Sequence, residues 1–155
     1  MSETLKIPVK ISNPVEIMKE SDIIATATTT KTPIFSGYLL REGTHLNAIG
    51  SFKKDEREID EQTVKRAKVV VDQKTAALQE AGDIIIPIKK GTIRQEHVYA
   101  ELGEIVTGTK QGRTSDTEIT LFKSVGLGIQ DCATAWLAYS KAKEKGNQIE
   151  VNLYS

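Results

Sequence analysis

The sequence is nearly without cysteine. Its one thiol, Cys132, can form no internal disulfide, so a disulfide framework is excluded and a reducing, cytoplasmic setting is expected. It also lacks an excess of either charge. Lys plus Arg number 21 and Asp plus Glu number 21, for a formal net charge of zero. A protein that neutralises many phosphates needs a basic surplus or a dense basic run. The two candidates, at Lys53-Lys54 and Lys141 to Lys145, are each interrupted by an acid, so no nucleic-acid partner is expected. Long apolar runs are missing as well. None approaches the ~20 residues of a membrane helix, and Met1 to Lys10 has no signal-peptide core, so no membrane partner is expected. Histidines are few. Neither His45 nor His97 has a Cys or His at metal-ligand spacing, and both are read as hydrogen-bonded or exposed side chains rather than ligands. What is present is 155 residues, 39% hydrophobic and 27% charged, which is enough chain to bury one core.

Short Ile- and Val-rich segments alternate with longer polar-faced ones. Leu5 to Ile11 reads as a strand, and Asn13-Pro14 as the capped start of a helix through Glu20. Ile23 to Thr28 reads as a strand buried on both faces, because it carries no charge. Tyr38 to Arg41 forms a helical turn, and His45 to Ile49 a strand ended by Gly50. Asp60 caps a helix through Arg66, Lys68 to Asp72 is a strand, and Lys74 to Ala81 is a helix stopped by Gly82. The β-branched run Ile84 to Ile86 is apolar and brief and is ended by Pro87, Ala100 to Thr107 is a helix, Glu118 to Phe122 a strand, and Leu127 to Lys145 the longest helix. Ile149 to Leu153 is a last strand or tail. This alternation predicts an α/β fold with a mostly parallel sheet.

Ligands of such sheets bind beyond the carboxyl ends of the strands. In this sequence those ends are Thr26 to Thr29, Ala48 to Ser51 and Asp72-Gln73, with small and hydroxyl side chains that suit a phosphate or ribose and equally suit plain turns. The loop Ser124 to Gly128 precedes a helix, yet it is no G-x-G-x-x-G, since the third glycine position is Asp131. Cys132 is expected to be a small buried thiol and Trp136 and Tyr139 to be core residues, three apart on one helix. The mixed run Lys53 to Asp60 and the carboxylate of Glu80 are read as surface.

Six ordered segments resemble the ornithine cyclodeaminase/mu-crystallin family: SDIIATATTTKTPIFSG, EGTHLNAIGSFKKDEREID, RAKVVVD, AGDIIIP, YAELGEIVTG and TLFKSVGLGIQD. The resemblance implies the C-terminal half of such a protein. It implies a single incomplete NAD(P)-binding domain over residues 1–155, a partial Rossmann-like sheet that lacks the first two strands and begins at the third, with Leu5 to Ile11. Ile23 to Thr28, His45 to Ile49 and Lys68 to Asp72 would be the fourth, fifth and sixth strands. The family's phosphate-binding glycine turn, and its substrate-binding Lys and Arg, have no counterpart in this sequence.

Carried over residue by residue, the resemblance gives Thr28, Thr29, Leu46, Asn47, Ala48, Ile49 and Ser124 as cofactor-binding positions. It gives Val125 and Glu80 as substrate-facing, and Asp131 as structural. One departure bears on the reaction. Cyclodeaminases and archaeal alanine dehydrogenases carry an Asp where this chain has Phe52, and phenylalanine can neither exchange a proton nor anchor an amine. No catalytic residue is therefore assigned, and the Ser51 pattern is more similar to the ketimine-reductase side. The resemblance implies a reductase or dehydrogenase that uses NAD or NADP and acts on a small amino or imino acid of the pyrroline-2-carboxylate or alanine type. The alternatives are ornithine cyclodeaminase and a non-catalytic remnant or small-ligand-binding module. A separately encoded N-terminal half and a homo-oligomer are the implied protein partners. The fourth strand is expected to be left with an unpaired apolar edge, and the chain alone to be inactive.

Overall fold

The computed structural model describes residues 2–146, 149 and 151. Two compact units are present, residues 1–125 and residues 126–155. In the first, helix α1 (Ser2–Leu5) and helix α2 (Pro14–Glu20) precede strand β1 (Ile23–Thr26). Asn13 caps α2 as expected: its side chain accepts the Val15 N–H at 2.9 Å, and Pro14 occupies the first turn. A 3-10 turn at Gly37–Leu39 leads to strand β2 (His45–Ala48). Helix α3 (Glu61–Arg66), strand β3 (Lys68–Val71), helix α4 (Lys74–Glu80) and helix α5 (Gly82–Lys89) follow. Strand β4 (Val98–Glu101), helix α6 (Leu102–Val106) and strand β5 (Thr120–Lys123) complete the unit.

The five strands form one parallel sheet in the order β1-β2-β5-β3-β4. The α/β class and the parallel sheet are as the sequence predicts. Its order differs in one respect: β5 separates β2 from β3, which the Rossmann comparison would make neighbours. Strand residues alternate between two faces, since successive side chains point in opposite directions. Ile24, Leu46, Ala48, Val69, Val71, Ala100 and Leu121 lie on the buried face, with Ile59, Val64, Ala77 and Ile84 in the same core. Ile23, His45, Asn47, Val70 and Phe122 lie on the other face, half-buried or exposed. β1 is therefore not buried on both sides. Its charge-free sequence reflects an edge position with one open face, and its outer backbone edge is unpaired among the described residues.

Three other expectations are corrected, and the brief Ile84 to Ile86 run is given its conformation. Leu5 to Ile11 is no strand: α1 ends at Leu5, Lys6 turns at φ 54°, and the following residues are exposed without regular structure. An alternating apolar pattern makes a strand only where a backbone partner exists, and none is described there. Ile84 to Ile86 lies inside α5, where Ile84 packs in the core. Tertiary burial outweighs the β-propensity of isoleucine. Ala100 to Thr107 divides into β4 and α6 at Leu102, where the Glu101 and Glu104 carboxylates form a capping box. The run Lys53 to Asp60 is not all surface, for Glu58 and Ile59 are fully buried.

The second unit holds helix α7 (Gly128–Glu144), with Gly146 at φ 66° just beyond it. Cys132, Trp136 and Tyr139 are exposed, against expectation, because among the described residues this unit has no second element to bury the apolar side chains of the helix. The Trp136 and Tyr139 rings do meet, with centroids 5.8 Å apart. Of the expected terminal strand, Ile149 and Val151 carry no regular structure, and the remainder lies outside the described residues.

Candidate functional site

Parallel strands end together, and this sheet collects its carboxyl ends in one row. Thr26 pairs with Ala48, and Lys123 lies between Ala48 and Val71. Beyond the last pairs the backbones remain stitched. Ile49 N–H donates to the Thr26 carbonyl at 3.0 Å, Ser124 N–H to Ala48 at 3.2 Å, and Asp72 N–H to Lys123 at 3.4 Å. Thr28, Thr29, Ile49 and Phe52 are exposed along this row, and Ser124 and Val125 are half-buried in it. Asn47 faces the open side of the sheet. Leu46 and Ala48 are 1% and 0% exposed, so their side chains belong to the core and only their backbone can border a ligand. Glu80 is exposed at the end of α4, and the hydrogen bonds that fix the row do not draw it in.

Three buried charged residues hold the row, and the sequence reading passed over each of them. The Glu58 carboxylate accepts hydrogen bonds from the Thr26 hydroxyl and the Thr28 hydroxyl, both at 2.8 Å, from the Thr28 N–H, and from the Gly50 N–H at 2.8 Å. Gly50 is required here, since a Cβ would collide with the Thr28 backbone and the Glu58 carboxylate. Asp83, in the first turn of α5, accepts the N–H groups of Glu58 at 2.8 Å and Ile59 at 3.1 Å through one oxygen. Its other oxygen lies 2.8 Å from the ammonium of Lys123, which also donates to the Ser51 carbonyl. Both members of this ion pair are wholly buried. Burial alone would push the Glu58 carboxyl up, yet the donors from Thr28, Thr26 and Gly50 outweigh it and hold the group below its ordinary value.

Asp72 does similar work at the end of β3. It accepts the Ser124 hydroxyl at 2.7 Å and the Val125 N–H at 3.1 Å through one oxygen, and the Gln73 N–H at 2.8 Å through the other. Alternation along β5 was a usable signal for Lys123, which shares the face of Leu121. Glu58 had no such signal, because it lies in a charge run that composition alone assigns to solvent.

A groove of about 730 Å³ occupies the open face of the sheet, lined by Ile23, His45, Asn47, Val70, Leu102 and Phe122 among others. His45 Nδ1 lies 2.7 Å from the Thr120 hydroxyl, and His97 Nε2 2.7 Å from the Val64 carbonyl, so both imidazoles are engaged in structural contacts. Among the described residues no group of three or more His, Cys, Asp or Glu side chains is placed to hold a metal, and no helix is long and apolar enough to cross a membrane.

Comparison with known proteins gives this arrangement a context. The description of the ornithine cyclodeaminase/mu-crystallin family matches residues 2–146. A Delta(1)-pyrroline-2-carboxylate reductase of Bacillus cereus is 46% identical over 141 residues, which are 89% of this chain and 43% of that protein. An alanine dehydrogenase of Archaeoglobus fulgidus is 41% identical over 132 residues, 85% of this chain and 41% of that protein. The structure of Delta(1)-pyrroline-2-carboxylate reductase from Thermococcus litoralis, in complex with NADH and L-proline, superposes with a TM-score of 0.91 at 49% identity. It covers 98% of this chain and 47% of that one. The chain thus spans less than half the length of these relatives. It belongs to the ornithine cyclodeaminase/mu-crystallin family.

Proposed function

We propose that the chain is the nicotinamide-facing half of a NAD(P)-dependent reductase or dehydrogenase, working in the cytoplasm on a small amino or cyclic imino acid of the pyrroline-2-carboxylate type. The observation that carries this reading is the carboxyl row itself. Exposed Thr28, Thr29 and Ile49 and half-buried Ser124 and Val125 lie along one rigidly tied edge of a parallel sheet, where ligands of such sheets sit. The residues present fit one end of a dinucleotide. Hydroxyls at Thr28, Thr29 and Ser124 suit a carboxamide or ribose, and the apolar side chains of Ile49 and Val125 suit a flat ring. The pyrophosphate end needs free N–H groups at a glycine-rich turn, and the sequence holds no G-x-G-x-x-G/A. A polypeptide equivalent to the amino-terminal half of the relatives supplies that end and the substrate-binding cations.

When bound, the nicotinamide supplies hydride chemistry at the imine carbon. This chain's residues orient and enclose. Asp72 fixes the Ser124 hydroxyl and the Val125 backbone, Glu58 fixes Thr28, and Ile49 and Phe52 offer apolar surface that excludes water. Phe52 neither gives nor takes a proton, which disfavours amine elimination of the cyclodeaminase kind. A non-catalytic small-ligand module is the second reading, and the groove on the open face favours it.

The test is NADH titration, followed by fluorescence, of the full chain alone and after co-expression with the amino-terminal half of the Bacillus cereus reductase. Weak binding alone and NADH-dependent reduction of pyrroline-2-carboxylate by the pair are expected. A folded pair that neither binds NADH nor reduces the imine overturns the reductase reading, and a ligand held by the open face would then favour the second one.

A further inference from the structure

Glu58 stands out among the buried groups. It is completely buried, it faces no cation at hydrogen-bond distance among the described residues, and four donors converge on its two oxygens. Those donors come from two strand ends that share no side-chain bridge other than this one among the described residues. Thr26 ends β1, Thr28 lies two residues beyond it, and Gly50 follows β2. A carboxylate surrounded by donors but no ion pair is expensive to bury unless all its lone pairs are used, and here they are. Its own backbone is held in turn. Asp83 accepts the N–H groups of Glu58 and Ile59, while Lys123 ties Asp83 to the Ser51 carbonyl. The chain of contacts runs from the end of β1, through Glu58 and Asp83, to the end of β5 and back to the loop after β2. Every loop it fixes carries a residue of the candidate cofactor edge.

We propose that Glu58 is a positioning residue for that edge: it sets the Thr28 hydroxyl and the Gly50–Phe52 backbone against each other, and the Asp83–Lys123 pair braces it from beneath. The inference rests on the cofactor reading for what the edge holds, but the clamp itself exists without a ligand. Thr28 is the point through which the clamp reaches a ligand. Its hydroxyl proton is committed to Glu58 and its oxygen accepts the Thr30 N–H at 3.5 Å, so toward a ligand it can offer a remaining lone pair as an acceptor rather than act as a donor. Glutamine at position 58 preserves volume yet presents an NH2 where donors already converge, so part of the set must open.

Site-resolved amide hydrogen exchange on the full chain tests the clamp without any cofactor. Glu58→Gln is expected to speed exchange at Thr28 or Gly50 at least tenfold, with Val69 and Leu121 in the sheet interior changed less than twofold. Uniform acceleration across the sheet, or no change anywhere, overturns the proposal. NADH affinity of the chain co-expressed with the complementing half tests the link to the edge through a double-mutant cycle. Glu58→Gln and Thr28→Val are expected each to weaken NADH binding, and the double variant to be no weaker than the worse single one, because both remove the same path. Full additivity means that Glu58 acts as general support and overturns the positioning role. A complemented chain that ignores NADH defeats the cofactor reading instead, while the exchange data still decide the clamp.

Discussion

At the scale of single residues, two carboxylates are held down by different partners. Glu61 is held down to about 2, first by the Lys90 ammonium and further by Arg57, whose Nη1 lies 2.7 Å away. Its depressed value means that it stabilises the fold fully above its ordinary 4.5 and loses that contribution as pH falls from there toward about 2. Glu58 is also depressed, by neutral donors, and its contribution likewise fades below 4.5. Urea midpoints are therefore expected to fall as pH drops from 6 to 3, and Glu61→Gln is expected to flatten that slope. Lys123→Met leaves Asp83 as an uncompensated charge, and a loss of about 3–5 kcal/mol in urea unfolding is expected. These residues mark where sequence reading falls short. Thr28 and Ile49 were legible as strand-end residues, because small and hydroxyl side chains close the apolar segments there, while Ser124 entered as a site residue only through the family resemblance. Glu58 and Asp83 were not, since nothing local tells a buried acid with donors from a solvated one.

At the scale of elements, what succeeded were local signals and what failed were matters of neighbourhood. Asp60 was identifiable as a cap, and its carboxylate accepts the Thr63 N–H and hydroxyl at 2.8 Å and, from outside the helix, the Gly37 N–H at 3.0 Å. Asp60→Ala thus removes three bonds spanning α3 and the 3-10 turn, and a loss near the upper end of the cap range, about 2 kcal/mol by urea unfolding, is expected. β1, β2, β3 and β5 were legible from their apolar runs. β4 was not, because Val98 and Ala100 are its only buried side chains and the helix-favouring Leu102 to Val106 follows without a break. The run Ile84 to Ile86 marks burial but not conformation, and the structure makes it part of α5.

At the scale of the molecule, an open parallel sheet is unusual, since both faces of such sheets are normally covered. The exposed edge of β1 and the apolar groove together predict concentration-dependent self-association of the chain on its own. Light scattering with size exclusion checks this, and Val70→Lys is expected to reduce the association without lowering the urea midpoint. The strand order has a consequence for synthesis. β5 is the last described strand in sequence and the central one in space, joining His45 to Thr120 across 75 residues. Until it emerges from the ribosome, β1–β2 and β3–β4 are two separate ribbons with nothing between them. The nascent chain must wait for its keystone, holding the inner edges of β2 and β3 open until Thr120–Lys123 is made. Such non-local pairing is slow to form and open to capture by other chains.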